Sequence, residues 1–119
     1  KVVKIAQELK RKIKIIGSTD MTHYGPNYGF TPHGVGEEAL KWVTEVNDKR
    51  MIDLFLSMKA QEILDEASKN GNCCCSAAAA TAITALKAAG AKKGYLIDYY
   101  TSYEINPDFS FVGYAGVIY

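Results

Sequence analysis

Apolar residues along the chain change period several times, and each change predicts an element. Val2, Ile5, Ala6, Leu9 and Ile13 fall at helical spacing, so the chain opens inside a helix. Ile13, Ile15 and Ile16 then make a short apolar run that stops at Gly17. It reads as a strand that delivers the polar loop Ser18-Thr19-Asp20-Met21-Thr22-His23-Tyr24-Gly25. Gly25 to Gly34 follows, with Pro26, Pro32, Tyr28 and Phe30 among its glycines. That make-up predicts a loop, serving either as a wall beside the polar segment or as a plain connection.

From Glu37 the period is helical again. Ala39, Leu40, Val43 and Val46 make a stripe with Trp42 at its edge, and Glu37 and Glu38 sit in the first turn where the helix dipole favours them. Asn47 or Asp48 can cap a second helix, in which Met51, Leu54, Phe55 and Met58 repeat at core spacing. A break at Ser57 or Lys59 leads to a short helix through Ile63, Leu64 and Ala67, closed by Asn70-Gly71 as a left-handed cap. Ser76 to Ala89 is a helix of small side chains closed by Gly90, able to press its backbone close to a neighbour. Tyr95 to Thr101 and Phe109 to Tyr119 are rich in β-formers and read as strands, with Asn106-Pro107-Asp108 between them and Gly113 and Gly116 at close approaches. The order α, β, loop, helices, β, β predicts an α/β fold, a central sheet flanked by helices.

Composition narrows the class. A chain of 119 residues with 48% hydrophobic and 23% charged residues suits one soluble domain, and a net charge of +1 points to neither nucleic acid nor a membrane surface. No apolar run approaches the roughly 18 residues of a spanning helix, so the expected compartment is the cytoplasm. The three cysteines are consecutive, Cys73, Cys74 and Cys75, which excludes a spaced disulfide framework and fits a reducing environment. With no initiator methionine, the chain reads as the later part of a longer protein.

Two stretches carry candidate chemistry. Open α/β sheets place ligands beyond the carboxyl ends of strands, and there Asp20, Thr22 and His23 gather a carboxylate, a hydroxyl and an imidazole. The competing reading makes Asp20 and Thr22 turn caps and His23 an ordinary histidine. The cysteines lie at a helix N-terminus, where the dipole favours thiolate, the form that binds metal or attacks electrophiles; otherwise they are small residues filling a tight junction. His33 is a second imidazole near in sequence. Cys74, His23 and Asp20 would also serve a cysteine-dependent hydrolase.

The loop Ser18 to Gly25, the helices after it, a cysteine heading a small-residue helix and the closing Ser110-Phe111-Val112-Gly113-Tyr114-Ala115-Gly116 together resemble the C-terminal half of the Memo-like family. Its members are also called AmmeMemoRadiSam system protein B and are similar in fold to class III extradiol ring-cleaving dioxygenases. The resemblance covers essentially the whole chain, so residues 1–119 are expected to be the C-terminal part of a single Memo-like α/β domain. It implies that His23 faces a metal site where the dioxygenases hold their acid/base histidine, with Asp20 beside it. It also implies that a cysteine ligates the metal, and that two further histidine ligands come from the N-terminal half. Matching Gly90 to the family's helix places Cys74 at the ligand position, with Cys73 as the alternative one residue away. Where the family has Gly and then Pro after its cysteine, this chain has Cys75, Ser76 and alanines. The implied group is iron or copper, since sulfur and nitrogen donors select a redox-active metal over magnesium or calcium. Expected partners are the remainder of the same protein and a small-molecule or peptide ligand, with a homo-oligomer open. A non-catalytic peptide-binding or scaffold role competes with oxygen-dependent redox chemistry.

Overall fold

The run Ile13–Ile16 is not a strand. In the computed structural model, which describes all 119 residues, residues 11–20 have no regular structure and Ile16 is 89% exposed. An extended segment becomes a strand only when a neighbour takes up its N–H and C=O groups. The three strands of this chain, in the spatial order His23–Tyr24, Phe111–Ile118, Tyr95–Thr101, pair with one another instead. Gly17 lies so close to the small-residue helix that a Cβ there would stand 2.8 Å from Ala82 Cβ.

The strand begins inside the predicted polar loop. β1 (His23–Tyr24) runs antiparallel to β3 (Phe111–Ile118), with His23 opposite Val112 and Tyr24 opposite Phe111. The pairing extends backwards, because Met21 N–H donates to the Gly113 carbonyl and Gly113 N–H to the Thr22 carbonyl. β2 (Tyr95–Thr101) pairs with the other edge of β3, also antiparallel. The expected α/β architecture is present as this three-stranded antiparallel sheet with helices packed on it. Phe109, expected in the last strand, lies outside it and is exposed.

The opening helix α1 (Val2–Glu8) buries Val3 and Ala6 and packs on the small-residue helix Ser76–Ala89. The two helices expected after Glu37 are one continuous rod. α2 (Glu37–Trp42) passes through a π-helical turn (Val43–Asn47) into α3 (Asp48–Leu56) without leaving helical geometry. Asn47 and Asp48 are therefore interior residues and cap nothing. In the wider turn the buried face steps by four residues, Ala39 to Val43 to Asn47 to Met51, so Val46, expected in the stripe, is 40% exposed. α3 packs against β2 and β3.

The expected break falls at Ser57–Lys59, where Met58 turns left-handed (φ 55°) while its side chain stays buried. α4 (Ala60–Asn70) and α5 (Ser76–Ala89) pack on each other and end at Gly71 and Gly90, both left-handed as predicted. A short α6 (Ser102–Ile105) follows β2, held by a capping box in which Glu104 accepts the Thr101 N–H at 3.0 Å.

Two apolar clusters result. Met21, Met51, Phe55, Met58, Ile63 and Ile83 belong to the larger, and Tyr24, Ala39, Val43 and Phe111 form the smaller. Of the two glycines predicted at close approaches, Gly113 is one: a Cβ there would overlap Asp48 Oδ2. Gly116 is not, since its Cβ would meet only Ile97 Cβ at an ordinary 3.9 Å. No helix is long and apolar enough to cross a membrane.

Candidate metal centre

Residues 18–23 reach the cysteines because the turn before α5 is latched to them. Cys74 N–H donates to the Asp20 carbonyl (3.2 Å), and Cys75 N–H donates to Thr19 Oγ1 (2.9 Å). The Thr19 hydroxyl passes its own proton to the Asp20 carbonyl at 2.9 Å. These bonds satisfy N–H groups ahead of the helix and bring two distant stretches into one corner.

In that corner Asp20, His23 and Cys74 each present one ligand atom, all within 4.8 Å of one another. Asp20 Oδ2 stands 3.6 Å from His23 Nε2, and both side chains are partly exposed. His23 Nδ1 lies 3.3 Å from the Met21 carbonyl. A carbonyl only accepts, so Nδ1 carries a proton, and Nε2 is the nitrogen that faces the Asp20 carboxylate. The ring is steadied by Tyr28, packed edge-on at 5.0 Å between centroids.

The other two thiols face different surroundings. Cys73 is 5% exposed, with Sγ 3.3 Å from Thr19 Oγ1. Because the Thr19 proton goes to Asp20, the thiol is the donor here, and burial pushes its pKa up. Cys75 is exposed and stands at the first position before α5 without a capping bond from its thiol, outside the cluster. His33 also stays outside: its ring lies against Trp42 at 4.3 Å.

Sequence reasoning missed the polar network behind the loop. Asp48, fully buried, accepts the Thr22 N–H (3.1 Å) and the Thr22 hydroxyl on Oδ1, and the Tyr99 hydroxyl (2.8 Å) on Oδ2. Burial raises the Asp48 carboxyl above its usual range against these lowering hydrogen bonds. Burial first, and then the Asp48 charge, raise the Tyr99 phenol. The available signal was a polar pair, Asn47-Asp48, lying in step between Val43 and Met51 on the buried face.

A thiol, an imidazole and a carboxylate within reach of one point suit a transition metal better than magnesium or calcium, which prefer oxygen alone. Comparison with known proteins agrees with the resemblance seen in the loop and the closing strand. The family model described as Memo-like protein matches residues 1–118. A MEMO1 family protein of Thermococcus onnurineus is 32% identical over 99% of this chain and 41% of its own length. Those of Methanopyrus kandleri and Methanococcus vannielii are 31% and 35% identical over 99% and 98% of this chain, and 38% and 37% of their own lengths. The chain thus spans about two fifths of the curated relatives it matches. No solved structure matches it.

Proposed function

The chain belongs to the Memo-like protein family, and from that premise we propose that Asp20, His23 and Cys74 form part of a mononuclear iron or copper site on a class III extradiol dioxygenase type of fold. The observation that carries this reading is the convergence of the three ligand atoms within 4.8 Å. Cys74 supplies a thiolate to the metal. His23, with Nδ1–H committed to the Met21 carbonyl, has Nε2 for the metal or for a proton, and Asp20 stands beside that nitrogen. Bound iron or copper would supply one-electron redox chemistry and Lewis acidity. One thiol and one imidazole do not complete a coordination sphere, so further ligands come from the part of the full-length relatives outside this chain.

Cobalt(II) tests the metal reading, because thiolate bound to it gives a charge-transfer band. Cys74→Ser should abolish the band, whereas Cys73→Ser and Cys75→Ser should leave it. Loss in Cys73→Ser alone would mean the register is off by one, and a band surviving in all three variants would end the proposal. In the full-length protein, His23→Ala separates the two roles open to the imidazole: metal lost marks a ligand, and metal kept with oxygen-dependent turnover lost marks the acid/base group. A non-catalytic scaffold would show no turnover in either form.

A further inference from the structure

The polar network around Asp48 is not used by the chemistry proposed above, yet it grips the residue between two parts of the site. Thr22 is fully buried, and its hydroxyl donates to Asp48 Oδ1 while accepting from Asn47 Nδ2 at 2.9 Å. Its backbone N–H also goes to Asp48. Thr22 is thereby held by main chain and side chain at once. On one side of it is Met21, whose carbonyl fixes the His23 tautomer; on the other is His23 itself.

The grip is braced from three directions. Tyr99 on β2 donates to Asp48 Oδ2, and Gly113 on β3 leaves the space that this oxygen occupies. Asn47 is held in turn by Arg50, whose Nη2 donates to Asn47 Oδ1 at 2.7 Å, and Arg50 is paired with Glu66 at 3.0 Å. No cation contacts Asp48, whose hydrogen-bonding partners are Thr22 and Tyr99 alone. A buried carboxylate without a paired charge is poor stabilisation compared with an apolar side chain of the same size. What it offers here is two acceptor oxygens on a short stem, enough to take three converging donors.

We infer that Asp48, assisted by Asn47 and Tyr99, is a positioning residue that acts through Thr22 to set the place and tautomer of His23 opposite Cys74. The inference rests on the reading of His23 and Cys74 as one metal centre, but the grip on Thr22 can be tested without metal. Partners one step behind metal ligands change affinity by about 10- to 100-fold when lost.

Asp48→Ala removes every acceptor, whereas Asp48→Asn keeps one for Thr22. Cobalt(II) should bind about tenfold more weakly to Asp48→Ala and nearly as well to Asp48→Asn. Ile63→Ala, a core truncation on α4 that removes none of these hydrogen bonds, should lower stability without moving the affinity. The metal-free measurement is the proton NMR contact between the His23 and Tyr28 rings, with His33, the other of the two histidines, as internal reference. That contact should vanish in Asp48→Ala and persist in Asp48→Asn while the His33 signals stay put. If Asp48→Ala does not fold, Thr22→Val removes the doubly bonded hydroxyl at equal volume and should weaken the ring contact in the same sense. An undisturbed contact in whichever of these folds overturns the inference, as does an equal affinity loss in Ile63→Ala. A full-length wild-type protein that ignores cobalt, with the ring behaviour as expected, leaves positioning standing and removes the metal reading alone.

Discussion

Replacing Gly113 by alanine should be among the most damaging single-methyl changes in this protein, and replacing Gly116, three residues along the same strand, should be harmless. At Gly113 the new Cβ would overlap Asp48 Oδ2, with Asp48 Cγ at 3.1 Å and Met21 Cβ at 3.4 Å. Asp48 cannot retreat without leaving Thr22 or Tyr99, because all three bonds converge on its carboxylate. Overpacking costs about 1–3 kcal/mol, and breaking a hydrogen bond to a charged group about 1.5–3 kcal/mol more. Against this stands the gain of roughly 0.5–1 kcal/mol from removing glycine's freedom in a strand. The net loss is about 3 kcal/mol, or roughly 12 °C in Tm for a domain near this size. At Gly116 only the gain applies, since the new methyl meets Ile97 at 3.9 Å. Urea unfolding followed by the fluorescence of Trp42, the single tryptophan, measures both. In the double variant with Asp48→Ala, the second change should recover part of the loss, because the overlapping atom is gone. A loss under about 1 kcal/mol for Gly113→Ala, or equal responses of the two glycines, would refute the reasoning.

A colorimetric thiol reagent should modify Cys74 and Cys75 quickly in the native chain and Cys73 only on unfolding; three fast thiols would contradict the burial of Cys73. Stability should fall at alkaline pH. Burial raises Cys73 above 9.0, lifts Tyr119 from 10.0 to about 12 and raises Tyr99 as well, so the unfolded chain loses these protons first. The contribution is complete below about pH 9 and is lost as pH climbs toward 12, and urea midpoints at a series of pH values give the profile; a flat one would count against it. Thr19→Val removes the acceptor of the Cys75 N–H and a donor to the Asp20 carbonyl, and should cost about 1–2 kcal/mol by urea unfolding; no change would show that the cysteine turn holds without it.

The parts of the fold that chain chemistry determines locally were readable, and those that depend on a neighbour were not. Gly71 and Gly90 end their helices because the left-handed region is open to glycine, a property visible at one position. Ile13 to Ile16 alternate like a strand, but nothing in the run says whether another strand lies beside it. The π turn was hidden because an apolar stripe through Val43 and Val46 fits the ordinary helical period, and only the burial of Asn47 in place of Val46 reveals the slower one. Asn47 and Asp48 read as candidate caps because such residues before an apolar run usually are, whereas the true partners of Asp48, Thr22 and Tyr99, are far off in sequence. At the site, the family resemblance, with the register counted back from Gly90, places Cys74 at the ligand position and Cys73 as the alternative, and Cys74 is the thiol that lies with Asp20 and His23. That His33 goes to Trp42 instead depends on the path of the glycine-rich loop, which composition does not specify.

The π turn at Val43–Asn47 also sets the phase between two cores. Ala39 and Val43 face the cluster around Tyr24 and Phe111, while Met51 and Phe55 face the cluster around Met21 and Ile83. One surplus residue in the rod lets both ends point inward together. Deleting a residue from the turn, such as the exposed Glu45, would shorten the protein trivially but twist one end of the rod against the other by about 100°. Either α2 would leave Tyr24, or Asp48 would swing away from Thr22. Solvent-facing side chains along this rod can therefore vary freely in kind while its length in residues cannot vary at all.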